Sequence, residues 1–181
     1  MASKQRIETR LHVVHCAATT ARQDIGKRTI NKQHLNDGVY SDSGMTGYHL
    51  VIRRSGLVEL CRPLPLWGQH ALGWNDKTIG TCLVGGARKA RAGDEQVWPG
   101  RAPDDNFMLD QMTSLSVWHS ALLMVYPTIL LVPHGALNGS PCPSFDVWEW
   151  QQEEFGYNDR MRFAEYKAAL DAEWDERKDE D

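Results

Sequence analysis

No apolar run in this 181-residue chain is long enough to span a bilayer. The longest, residues 121–133 (ALLMVYPTILLVP), falls short of the ~20 residues a membrane helix needs and is broken by Pro127 and Thr128. No stable membrane insertion is therefore expected. The amino-terminal MASKQRIETR lacks the apolar centre of a secretory signal, so the chain is expected to begin in the cytoplasm. Cysteine is sparse, at four residues, and in a reducing compartment these do not make a disulfide framework. Net positive charge is missing too: 20 basic and 24 acidic side chains give −4, which offers nucleic acid no general attraction. Neither CxxC nor HExxH occurs, and there is no internal repeat or low-complexity stretch.

What is present is ordinary for one globular domain, with 41% hydrophobic and 24% charged residues, enough for a packed core. The charge imbalance sits at one end. Residues 159–181 carry nine acids and five bases, so the rest is neutral.

Periodicity sets out the elements. Residues 11–16 (LHVVHC) read as a buried strand, and residues 25–35 as a helix with Asp24 as its amino-terminal cap, ended by Asn36, Asp37 and Gly38. Residues 48–53 and 57–61 flank Arg54-Ser55-Gly56 and read as a β-hairpin. Residues 78–84 form another strand. Residues 87–106, rich in Arg, Gly, Asp and Pro, read as a long surface loop. Phe107, Met108, Gln111, Met112, Leu115, Trp118, Leu122 and Val125 trace a helix capped by Asp104 or Asp105 and stopped by Pro127, and residues 129–132 return to strand. Strands alternating with helices predict an α/β fold, a mixed central sheet flanked by helices. An amphipathic helix is appended, with Phe163, Tyr166, Leu170 and Trp174 on the face that docks. The expected division is a domain over 1–155 and an acidic helical extension over 156–181.

Three of the cysteines, Cys16, Cys61 and Cys82, fall inside expected strands and read as small buried apolar residues. Cys142 lies instead in the loop GSPCPSFD, eight residues after His134 at a strand end. His12 and His15, three apart on the first strand, point to opposite faces, so only one of them can join a given site. Two imidazoles and one thiolate suit zinc, with a fourth tetrahedral position left open as in catalytic sites.

Four motifs carry a resemblance: VVHCAAT (13–19), GYHLVIRRSG (47–56), TIGTCLVGG (78–86) and PCPSFDVWEW (141–150). In order and spacing the chain resembles the zinc amidases that include T7-type phage lysozymes and the peptidoglycan recognition proteins, from about residue 11 to residue 152. The resemblance implies an N-acetylmuramoyl-L-alanine amidase of the phage endolysin type. It implies Zn2+ held by His15, His134 and Cys142, catalytic roles for Tyr48 and Ser140, and substrate-binding roles for His70 and Trp74. At position 140 the T7-type enzymes carry lysine, whereas recognition proteins with amidase activity often carry threonine, so the hydroxyl of Ser140 is compatible with catalysis. A tyrosine hydroxyl ordinarily titrates near about 10, which suits Tyr48 to orientation and proton shuttling.

The implied partner is peptidoglycan, met by a monomer that waits in the host cytoplasm and reaches the wall once the membrane is permeabilised. Two rivals follow from the same family. One is a binding module that holds peptidoglycan without cutting it, as recognition proteins lacking the zinc cysteine do. The other is regulation of a phage RNA polymerase as a second role. His34, His49 and His119 have no matched role and read as core or surface residues.

Overall fold

The computed structural model describes residues 4–6, 8–36, 45–87 and 106–178. Its centre is a five-stranded sheet in the order β3-β2-β4-β1-β5. The strands are β1 (Leu11–Cys16), β2 (Leu50–Ile52), β3 (Val58–Leu60), β4 (Thr78–Leu83) and β5 (Leu130–Pro133). Four run parallel, and β3 is antiparallel to β2 across the expected hairpin. The helices are α1 (Lys27–Asn36), α2 (Leu109–Val125), α3 (Gly135–Asn138), α4 (Val147–Phe155) and α5 (Arg160–Lys178). The mixed α/β architecture is the one expected.

The continuous apolar run of β1 has its reason in this order. With β4 on one side and β5 on the other, and helices above and below, it has no solvent face, and five of its six residues are buried. Alternation then sends Val14, with Ile52, Leu83 and Leu131, towards Met112 and Leu115 of α2 and Val147 and Trp150 of α4. Leu11 and Val13, with Leu130 and Val132, point the other way and meet Phe163 of α5. On that second face, Val51 and Cys82 meet Ile30 of α1. Each fully buried aliphatic side chain contributes about 1.5 to 3 kcal/mol. The second face is thus covered by α1 at one end and α5 at the other, and His15 projects from it.

Local readings differ from the structure at helix starts. Asp24 does not cap α1: its carboxylate accepts from Arg53 at 2.8 Å and from the Arg54 backbone N–H at 3.1 Å. The hairpin reaches the helix start and brings its own acceptor, Glu59, which takes the Lys27 N–H at 2.6 Å. Asp37, Gly38, the caps Asp104 and Asp105, and nearly all of the expected 87–106 loop lie outside the described residues. At the start of α2, Gln111 Oε1 accepts the backbone N–H of Met108 at 3.0 Å. Helix α4, not read from the sequence, is capped by Asp146, whose Oδ1 accepts from Trp148 and Glu149, both at 3.0 Å, and it ends at the left-handed Gly156.

Helix α5 docks as its apolar stripe predicts. Phe163 and Tyr166 pack into the cluster around Leu11, Val13, Leu130 and Val132, while the side chain of Trp174 lies outside the described residues. A polar tie reinforces the contact. The buried Asp159 carboxylate accepts the N–H of Leu131, on the edge strand β5, and the amide of Gln151 in α4, each at 2.8 Å, and pairs with Arg162 at 2.9 Å. An unpaired donor of the sheet edge is thereby satisfied from the extension. Among the described residues no helix is long and apolar enough to cross a membrane.

Candidate metal centre

The two histidines expected as ligands are brought together by strand register. Pro133 pairs with Val14, and the next residue, His134, extends the ladder by donating its N–H to Val14 O at 3.0 Å. His134 therefore stands beside His15 on the same face, with ring centroids 4.2 Å apart. Cys142 arrives on the loop that follows α3. The N–H of Gly135 donates to Cys142 O at 2.8 Å, and a Cβ on Gly135 would stand 2.1 Å from Ser140 O, so glycine is what lets this loop close on the strand end. The Cys16 N–H then donates to Cys142 Sγ at 3.3 Å.

One donor atom each from His15, His134 and Cys142 lies within 4.8 Å of the others. Zinc bonds of about 2.0 to 2.3 Å place tetrahedral donors roughly 3.3 to 3.8 Å apart. The donors are thus within about 1 to 1.5 Å of that spacing, and a set of two imidazoles and one sulfur is of the type zinc takes. Protonation state agrees. Burial, with the neighbouring imidazoles of His70 and His134, holds His15 well below the usual histidine range, and burial lowers His134. Both are kept as the neutral form that ligates. The two thiols in contact titrate as a pair. Hydrogen bonding to Cys142 draws Cys16 down to about 7, while the same contact and burial push Cys142 up. A divalent cation beside Cys142 would act in the opposite sense on that thiol.

Tyr48 stands directly before β2, its ring 5.0 Å from that of His15. Its hydroxyl is in hydrogen-bond contact with the Cys82 thiol, which burial otherwise raises well above its ordinary value. Ser140 lies two residues before Cys142, and its backbone N–H donates to Asn138 Oδ1 at 3.0 Å. Its hydroxyl oxygen is buried without a partner among the described residues. Asn138 also sets its amide nitrogen 3.1 Å from Nε2 of His134.

The other expected site residues are placed differently. His70 sits against His15, with Nδ1 of His70 2.9 Å from Nε2 of His15. Trp74 is not brought to the ligand cluster. It packs against Phe163 and Tyr166 of α5, at centroid distances of 6.4 and 6.5 Å. Trp67 donates its indole N–H to Gln5 O at 2.9 Å. Missed from the sequence are His34, whose ring is 5.3 Å from Tyr48, and the second contact of Cys16, which packs against the core as expected and also touches a ligand. His34 is spaced four residues from the buried Ile30 on α1, a signal of a shared helix face but not of what that face meets. His12 is turned to the opposite face, as parity required, where it pairs with His119 at 3.2 Å and Thr81 at 2.8 Å.

Comparison with known proteins shows the fold and the family. The family profile described as N-acetylmuramoyl-L-alanine amidase matches residues 5–144. The endolysin of Escherichia phage T7 is 38% identical over 159 residues, 87% of this chain and 95% of that protein. Among solved structures, the N-acetylmuramoyl-L-alanine amidase LysC from Clostridium intestinale superposes with a TM-score of 0.68 at 21% identity, covering 87% of this chain and 92% of that one. The Drosophila peptidoglycan recognition protein LB gives 0.62 at 16% identity, covering 83% and 84%. These two likenesses establish the fold. The profile match over most of the chain, together with the phage relative, establishes the family: the chain belongs to the N-acetylmuramoyl-L-alanine amidases.

Proposed function

We propose that this amidase hydrolyses the amide joining the lactyl group of N-acetylmuramic acid to L-alanine in peptidoglycan, with a zinc ion held by His15, His134 and Cys142. The observation that carries the reading is the convergence of three donors, from segments far apart in sequence, within 4.8 Å. When bound, zinc supplies Lewis acidity, polarising an amide carbonyl and acidifying water near neutral pH. The remaining work falls to the chain. His15 and His134 are held neutral by burial, ready to ligate without first losing a proton. The buried Ser140 hydroxyl, lacking any other partner among the described residues, donates to the carbonyl oxygen as it gains charge. A donor so aimed is worth about 2.7 to 4 kcal/mol in the barrier. Tyr48, flanking His15, orients the attacking water and passes a proton towards the leaving nitrogen.

As an endolysin the chain would act as a monomer, gather in the host cytoplasm and meet the wall after membrane permeabilisation, with residues 1–155 as the catalytic unit and 156–181 as a docked extension. The presence of Cys142 among the converging donors favours catalysis over a purely binding role. Digestion of purified peptidoglycan followed by mass spectrometry should release stem peptides and leave the glycan intact, and trimmed glycan would refute the assignment. Cys142→Ser should lose zinc and lytic activity together; full activity in that variant would remove Cys142 from the ligand set.

A further inference from the structure

An imidazole can offer only one nitrogen to an ion, and the other nitrogen of His15 is already engaged. His15 Nε2 lies 2.9 Å from His70 Nδ1, and the far nitrogen of His70, Nε2, lies 3.2 Å from Thr78 Oγ1. The rings of His15 and His70 meet at 90° with centroids 4.9 Å apart. The place of His70 is prepared by its surroundings. It lies over Gly80 of β4, where a Cβ would stand 2.6 Å from the ring, and beside Gly68, where one would stand 2.2 Å away. Asn75 Oδ1 accepts the backbone N–H groups of His70 and Ala71 at 2.9 and 3.0 Å, fixing the turn. Trp74 of the same turn is packed against Phe163 and Tyr166 of α5.

We propose that His70 is a positioning residue for the metal centre: its Nδ1 accepts the Nε2–H of His15, so that Nδ1 of His15 is the ligand atom, and Thr78 Oγ1 receives the Nε2–H of His70. This inference rests on the reading of His15, His134 and Cys142 as ligands. It departs from a substrate-contact role for His70, because both of its ring nitrogens are occupied inside the protein. Histidine ligands commonly have the second nitrogen held in this way, which fixes tautomer and ring orientation, and loss of such a partner costs 10- to 100-fold in metal affinity. Here the partner is a second neutral imidazole backed by a hydroxyl.

The probe is zinc itself, titrated against a chelator of known affinity. His70→Ala should bind zinc about 10- to 100-fold more weakly than the natural chain. His70→Asn, which offers a carbonyl oxygen near the position of Nδ1, should recover most of that loss, a rescue that a space-filling role would not produce. In the zinc-loaded natural protein, two-bond proton–nitrogen NMR correlations should show the proton on Nε2 of both His15 and His70. A proton on Nδ1 of His70, or zinc binding by His70→Ala equal to the natural chain while Cys142→Ser has lost it, overturns the positioning role and leaves the ligand set standing. If the natural chain binds no zinc, or Cys142→Ser binds it undiminished, the ligand reading fails and takes this inference with it.

Discussion

Acidification from pH 7 to pH 5 should cost this fold much of its stability, through three imidazoles that are not among the expected metal ligands. His12, His49 and His119 are fully buried. The His49 ring accepts the Gly80 N–H at Nδ1, 3.0 Å away, and stands 3.0 Å from Leu66 O through Nε2. A second ring proton would displace the Gly80 bond and set a cation near Arg6 and Arg62. Burial chiefly, with those two guanidinium groups, lowers His49 to about 3. His119 is lowered to about 4 by burial, and His12 well below its ordinary value by burial and by His119. Between those two rings a single hydrogen bond joins Nδ1 to Nδ1, and a proton added at the accepting nitrogen would leave two donors facing each other. The folded state thus keeps these groups neutral while the unfolded chain takes up protons below about 6.5, so the stability is intact above that pH and is lost as pH falls. At pH 5 each group costs about 2 kcal/mol, and the three together about 6 kcal/mol, against a total stability of order 5 to 15 kcal/mol for a domain. Urea unfolding followed by tryptophan fluorescence, with chelator throughout so that metal loss is not being measured, should show a slope near pH 5 of at least about 4 kcal/mol per pH unit. His49→Gln, whose amide can accept from Gly80 and donate to Leu66 without a titrating proton, should reduce that slope by about 1.4 kcal/mol per pH unit. A loss below about 2 kcal/mol between pH 7 and pH 5, or an unchanged slope in His49→Gln, would refute the reasoning.

Other perturbations test separate parts of the molecule. Asp159→Ala strips the acceptor from the buried N–H of Leu131 and the amide of Gln151, at about 1 to 3 kcal/mol for each orphaned donor, and the urea midpoint should fall accordingly. Deleting residues 159–181 should lower the melting temperature further, since the Phe163 packing goes too; an unchanged melting point would mean that α5 is not docked in solution. Ser140→Ala should slow peptidoglycan turnover by about 10²- to 10³-fold at unaltered zinc content, and an unchanged rate would return Ser140 to a turn-forming role.

The sheet was legible because its parallel strands are largely apolar on both faces, a property of the local sequence that survives any choice of neighbours, while the exposed edge strand β3 was read from the Arg54-Ser55-Gly56 turn before it. Helix starts were not, because an acidic residue before a helix states only that an acceptor is at hand. Asp24 had two arginine-bearing donors to serve across the hairpin, and Glu59, 32 residues from the Lys27 N–H, took the helix end instead. Trp74 shows the same limit in apolar form. A tryptophan in a loop beside a histidine has the composition of a sugar platform, yet the apolar stripe of α5, itself readable, needed something to pack on and found that ring.

The candidate centre was half readable for a geometric reason. Strand parity separates His12 from His15 but cannot say which face stays open, since that depends on where the helices lie. Helices α2 and α4 cover the face of His12 with large side chains such as Leu115 and Trp150, leaving its imidazole to pair with His119. The face of His15 is covered at its two ends by α1 and α5, through Ile30 and Phe163. Between them, Gly80 replaces what would be a side chain with space, and His70 fills it. A histidine lying over a glycine of β4, with the hydroxyl of Thr78 two residues earlier on that strand, is not announced by spacing along the chain, because the turn that carries His70 folds back over β4 only in the structure and meets His15 only through the parallel register of β1 and β4. Residues that touch an ion must be of ligating type and can be guessed; those that aim them need only be in reach, and reach is a property of the fold.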